Sequence, residues 1–216
     1  MKPADNNTND RIGALSALYQ GGRTDSADVS NVSMMLMVIG GAYLVGAITF
    51  ADKMSHWPFA WLFLLLLPLP TWIMAAHHSI LTLCGMSLGT SIRIIEDKLF
   101  EESGLHVKRE MIGSCAGDRI IDITKQHVVH KLISVIVYGG VGFLGIGFTV
   151  YSLYLASEAT RENTALANVP VIGIAAIIYS FIGCIVLLSW VVGIRMIAKG
   201  HADLEAQTKR LSVKKN

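Results

Sequence analysis

Apolar residues along this chain do not alternate with polar ones; they gather into long uncharged blocks. The first, Val32–Ala51, runs twenty residues without a charge, and Ser33 and Thr49 are its only serine and threonine. The second, Met54–Ile92, runs thirty-nine residues without an Asp, Glu, Lys or Arg. The third and fourth, Leu132–Ser157 and Asn163–Ile194, are separated by Glu158, Arg161 and Glu162. A helix needs about 20 apolar residues to cross the hydrocarbon of a bilayer, and each Lys, Arg or Asp at its centre costs about 2.5–3.5 kcal/mol. The blocks therefore predict an all-α polytopic membrane protein, a bundle of four transmembrane helices at 32–52, 57–78, 132–156 and 170–194.

The second block is long enough on paper for two crossings. Division at Pro68-Leu69-Pro70 leaves only Trp57–Leu67 for one leg, about 16 Å of helix at ~1.5 Å per residue, which is too short. The alternative is one crossing over 57–78 that continues as helix beyond the bilayer to about residue 103, with Gly104 as its stop. Charge decides between them. With four crossings, sixteen of the eighteen Lys and Arg fall on one face of the membrane, leaving Lys53 and Arg161 on the other. Basic residues accumulate in the cytoplasm, so both termini and the central segment are assigned there. Trp57 and Trp61 then open the second span from outside, Tyr151 and Tyr154 close the third, and Trp190 lies near the inner end of the fourth, as headgroup-seeking rings do. The polar tail 1–31 lacks the short apolar region of a secretory signal, and Cys84, Cys115 and Cys184 imply no disulfide framework.

Outside the bilayer, Arg11–Gln20 puts Ile12, Leu15, Leu18 and Tyr19 on one face, with Asp10 as N-cap and Gly21 as the residue past the end. This predicts a short interfacial helix followed by a loop at 21–31. Leu88, Ile92, Ile95 and Leu99 recur at steps of three and four, and so do Ile194, Ile197, His201 and Leu204 in the C-terminal segment 195–216. That spacing keeps an apolar stripe facing a partner helix. Residues 93–104 carry net charge −2 and residues 195–216 carry +4. Two readings follow: the two cytoplasmic extensions pair as a stalk, within one chain or between chains, or they lie on the inner leaflet, held by Lys209, Arg210, Lys214 and Lys215 against anionic lipid. The segment 104–131 reads as a connector of short helix and loop.

Composition narrows the function class without naming it. Residues are 52% hydrophobic and 16% charged, against about a quarter charged in soluble globular chains. A soluble enzyme, a disordered chain and a collagen-like fibre are excluded. Membrane lipid is the expected partner. Basic residues are interleaved with acidic ones, so nucleic acid is not.

Candidate chemistry is sparse. His77 and His78 are adjacent ionisable residues inside an apolar block, and Cys84 follows His77 by seven positions. Adjacent residues diverge by about 100° around a helix, so both rings cannot face one ion. The favoured alternative is a pair near the inner headgroups. His127 and His130 have the spacing of a shared face but lack the Glu of a zinc-protease helix, and Asp118 and Asp122 read as a solvated ion-pair surface beside Arg119 and Lys125. Pro68 and Pro70 remove the amide donors that would bond the carbonyls of Leu64 and Leu66, predicting a kink in the second span. A kink shapes packing, or it opens carbonyls to an ion path.

Small residues carry the stronger signal. The third span holds Gly139, Gly140, Gly142, Gly145 and Gly147; the fourth has Ala176, Ser180 and Cys184 at steps of four; the first has Ala42 and Gly46 at the same step. Small residues let helix backbones approach closely, which predicts a tight bundle and admits a homo-oligomer or contact with another membrane subunit. No catalytic motif, cofactor-binding motif or metal-ligand set is present in the sequence. The stretch Gly13-Ala14-Leu15-Ser16-Ala17-Leu18-Tyr19, the polar lead 25–31, Pro68-Leu69-Pro70 and Tyr138-Gly139-Gly140-Val141-Gly142 together resemble a group of small uncharacterised bacterial integral membrane proteins. The resemblance covers about residues 10–155 and implies a bacterial inner-membrane location, with no activity attached. The expectation is a non-enzymatic scaffold, accessory subunit or oligomeric effector. The alternatives are a small channel or transporter subunit using His77, His78 and the Pro68–Pro70 kink, and, more weakly, an embedded enzyme or metal-binding protein.

Overall fold

A computed structural model of the chain describes residues 6–54, 57, 59–105, 128–161 and 170–215. Among them the chain is helical without strands, in the order α1 (Asn6–Met54), α2 (Ala60–Leu66), α3 (Leu69–Ser103), α4 (Val128–Arg161) and α5 (Val171–Lys215). Four stretches are long and apolar enough to cross a membrane, with α2 and α3 together forming one of them. Most of 104–131, with His127, Cys115, Asp118 and Asp122, lies outside the described residues, as do the side chains of His130, His201 and Leu204.

The chain divides into two compact units: one of residues 33–80 and 132–192, the other of residues 1–32, 81–131 and 193–216. The first collects most of the apolar blocks and the second the polar ends together with 81–92, and the divisions fall within two residues of 31/32, 78, 131/132 and 194/195, where the sequence places the ends of the spans.

In the apolar unit the buried core is made of Ala47, Ala51, Ala60, Leu64, Leu65, Leu67, Phe148, Ala156 and Ala175. Five of the nine are alanine, because close helix contact between apolar helices depends on small side chains rather than on expulsion of water. The outward surface is the reverse of a soluble protein's: Val38, Val45, Phe50, Phe143, Val150, Ile177 and Phe181 are all exposed. Trp57, Tyr151 and Tyr154 are exposed as well.

The polar unit corrects the reading of the N-terminal tail. The short helix ending at Gly21 and the loop at 21–31 are absent; α1 runs unbroken through Gly21 and Gly22. Glycine is a poor helix former by about 1 kcal/mol, and close packing overrides that preference here. A Cβ at Gly22 would stand 3.0 Å from Cγ1 of Ile92 on α3, and one at Gly85 on α3 would stand 3.8 Å from Val29 of α1. Among the residues of α1 that turn away from the exterior is the series Ile12, Leu15, Tyr19, Gly22, Ser26, Val29, Ser33, Leu36, Gly40, Tyr43 and Ala47, flanked by Ser16, Leu44 and Gly46. The series alternates strictly at steps of three and four, the period of a left-handed helix seam.

The acidic extension of α3, matched by charge to the C-terminal segment, also finds a partner in α1. Arg11 lies 3.8 Å from Glu102. The Tyr19 hydroxyl donates to Oε1 of Glu96 at 3.3 Å and accepts from Nε of Arg23 at 3.2 Å, with the guanidinium also 5.6 Å from the Tyr19 ring centre. Glu96 is buried, and Ile92, one of the four seam residues, is buried too, while Leu88, Ile95 and Leu99 are half-buried. On the other helix of the expected stalk, Ile194 and Ile197 are half-buried, and a Cβ at Gly193 would come within 2.6 Å of Leu83. Tyr19→Phe removes the hydroxyl that bridges Arg23 and Glu96 while keeping the ring. The expected loss is about 1 kcal/mol, since a hydrogen bond to a charged group is worth somewhat more but this one is long. Equilibrium unfolding of the detergent-solubilised protein measures it, and an unchanged midpoint would show the bridge to be ornamental.

Candidate functional site

The break between α2 and α3 is where the apolar unit concentrates its polar bonds. Pro68 and Pro70 carry no N–H, and an unpaired carbonyl in hydrocarbon costs several kcal/mol. The helix holds on either side: the Leu67 amide donates to Phe63 O at 3.0 Å, and the Trp72 amide donates to Pro68 O at 3.2 Å. Between those bonds, three carbonyls receive hydroxyl donors from three different helices. Ser152 of α4 donates to the carbonyl of Leu64, the one orphaned by Pro68. Tyr179 of α5 donates to Leu65 O at 2.6 Å, and Tyr43 of α1 donates to Leu67 O at 2.6 Å. Each of the other three spans thus supplies one hydroxyl to the same interrupted turn. Ser152 is fully buried, and Phe148 closes on Tyr43 edge to face, with ring centres 6.5 Å apart.

A second layer lies one turn further along α3. The indole N–H of Trp72 donates to the hydroxyl of Thr149 at 2.9 Å, and that hydroxyl donates to the carbonyl of Gly145 at 2.7 Å. Trp72 packs with Ala75 and Tyr179. Gly183 of α5 clears its ring: a Cβ there would stand 2.9 Å from Trp72 Cη2.

The two histidines separate as their angular spacing requires. His78 is buried, 4% exposed, with Nδ1 3.1 Å from the hydroxyl of Ser33 on α1. His77 and Cys84 are exposed. Among the described residues no three His, Cys, Asp or Glu side chains converge as a metal site would require.

The small residues divide in the same way. Gly145 turns inward, and a Cβ there would touch Thr71 at 3.6 Å. A Cβ at Gly46, Gly140, Gly142 or Gly147 would meet nothing within 4 Å, and one at Gly139 would meet only Phe143 of its own helix. Ala176 is half-buried, while Ala42, Ser180 and Cys184 are exposed. Close packing inside the unit instead uses Gly183 and, with lighter contact, Gly40 against Met74. Tyr43, Ser152, Tyr179, Trp72 and Thr149 are absent from the sequence-based candidates. The available signal was a hydroxyl or indole inside an apolar block, which has to find a partner somewhere.

Chemically the arrangement fixes helices: the donors of Tyr43, Ser152, Tyr179 and Trp72 are neutral, and each bonds backbone or another neutral side chain. Comparison with protein-family models, with curated proteins and with solved structures finds no match to this chain.

Proposed function

We propose that this chain is a non-enzymatic, multi-pass component of a bacterial inner membrane, acting as a scaffold, accessory subunit or oligomeric effector. Both termini and the segment 104–131 face the cytoplasm in this reading, on the strength of the sixteen basic residues gathered on one side. The observation that carries the proposal is the interrupted turn at Pro68. An ion path through a broken helix needs carbonyls free to replace hydration. Here Leu64, Leu65 and Leu67 are each engaged by a hydroxyl from a neighbouring span. The hydroxyls of Tyr43, Ser152 and Tyr179 are thus committed to holding the four long helices together. The exterior is left apolar, with Ala42, Ser180 and Cys184 on it as small or thin positions where another helix fits closely.

Purified full-length protein reconstituted in liposomes, loaded with a pH-sensitive dye and separately with potassium or sodium reporters, tests this against the channel reading. The expected result is leakage indistinguishable from empty liposomes, unchanged by His77→Ala or His78→Ala. A flux that either substitution abolishes would replace the scaffold with a conducting subunit.

A further inference from the structure

The membrane unit holds a cavity of about 240 Å³ between α1, α3 and α4. Its walls include Leu36, Gly40, Thr71, Met74, His78 and Gly140. Two features set it apart from a packing fault. The first is that glycine shapes it. Gly41 and Gly140 both line the cavity, and a Cβ at either would meet nothing within 4 Å. The wall at these two positions is bare backbone with room beside it for a side chain. The second is Thr71, which is 3% exposed, with a hydroxyl that has no hydrogen-bond partner. Its methyl branch is the one that faces Gly145 of α4. Other serines and threonines of the spans, such as Thr49, Ser79 and Thr149, bond the carbonyl one turn back. Leaving a buried hydroxyl unpaired costs about 1–3 kcal/mol, so a hydrogen-bonding guest at Thr71 gains what the empty site forgoes.

We infer that this cavity binds a lipophilic ring ketone of the quinone class, with Thr71 donating to a ring carbonyl. Size, lining and depth select that chemistry. An apolar cavity of about 150 Å³ takes a benzene ring, so 240 Å³ accommodates a substituted or fused ring. The walls are aliphatic apart from Thr71 and His78, and the Met74 thioether suits a ring face. Thr71 lies eleven residues beyond Ala60, the start of α2. That is about 16 Å along the helix, near the middle of a ~30 Å hydrocarbon core. Phospholipid esters stay at the edge of that core. A carbonyl that reaches Thr71 belongs to a molecule dissolved in the hydrocarbon itself. The inference concerns binding alone and stands whether or not the scaffold reading holds.

The test is titration of full-length protein in lipid nanodiscs with a short-chain naphthoquinone, followed by quenching of tryptophan fluorescence, Trp72 being adjacent to Thr71 in sequence. Saturable quenching is expected. Gly140→Leu and, independently, Gly41→Leu should abolish the saturable part, with helix content and thermal midpoint equal to or above those of the parent. Thr71→Val should weaken binding about tenfold. Quenching that rises linearly with quinone and is the same in both glycine variants would overturn the inference. So would equal quenching by phospholipids brominated on their acyl chains that Gly140→Leu abolishes, because the occupant would then be a lipid tail. The use of two glycine variants keeps the result readable if one of them fails to fold.

Discussion

Ser152→Ala is expected to destabilise the protein by about 2 kcal/mol, and most of that loss is expected to vanish when Pro68 is first replaced by alanine. The hydroxyl of Ser152 bonds the carbonyl of Leu64, whose helical donor would be the amide of residue 68. Proline has none. Removing the serine therefore leaves a fully buried acceptor without a donor, and that omission costs about 1–3 kcal/mol. In the Pro68→Ala background the missing amide returns, so the carbonyl keeps a partner whether or not the serine is present. The coupling between the two sites is the quantity to measure, by unfolding all four members of the cycle in mixed micelles. Single interhelical hydrogen bonds in membrane proteins average well below 1 kcal/mol because the unfolded chain finds other partners. A proline-orphaned carbonyl is the case in which it does not. Equal cost in both backgrounds would mean that Ser152 acts through packing, and that the break does not depend on its hydroxyl.

That site shows where reading a sequence reaches and where it stops. The four long apolar helices, the break between Leu66 and Leu69 and the orphaned carbonyl of Leu64 follow from local rules, because hydrophobic length and the missing proline amide are properties of adjacent residues. The donors do not follow. Tyr43 lies 24 residues from the carbonyl it bonds, Ser152 lies 88 away and Tyr179 lies 114 away. Nothing local distinguishes them from other hydroxyls of the apolar blocks. The N-terminal tail went wrong for a related reason. Gly21-Gly22 and the polar run 25–31 read as a stop and a loop, yet α1 continues, because its inward seam is built of Gly22, Ser26, Ser33 and Gly40 as much as of Leu and Tyr. A seam chosen for smallness leaves no hydrophobic period to detect. The glycine-rich third span illustrates the converse. Gly142 and Gly147 have the composition of a contact, but a Cβ at either would meet nothing within 4 Å among the described residues, while Gly183, which does face a neighbour, stands alone without a small-residue repeat to mark it.

Gly183→Ala and Gly193→Ala are expected to reverse the order that distance alone would give. A Cβ at Gly193 would come within 2.6 Å of Leu83, whereas one at Gly183 would stand 2.9 Å from Trp72. The closer contact is the cheaper one. Leu83 is half-buried, and its terminal methyl groups move to another rotamer for less than about 1.5 kcal/mol. Trp72 has no such freedom. Its ring is rigid, its core neighbours are Ala75 and Tyr179, and its N–H is tied to Thr149. Swinging the ring away from an alanine at 183 breaks that bond and leaves a buried indole donor unpaired, in addition to overpacking that costs about 1–3 kcal/mol on its own. The expected losses are therefore about 3 kcal/mol for Gly183→Ala and about 1 kcal/mol for Gly193→Ala, read from unfolding midpoints in the same detergent. Trp72→Phe supplies the control. A phenyl ring does not reach the α5 backbone and has no N–H to lose, so Gly183→Ala should cost little in that background. A full cost there would place the strain in α5 itself rather than against the indole.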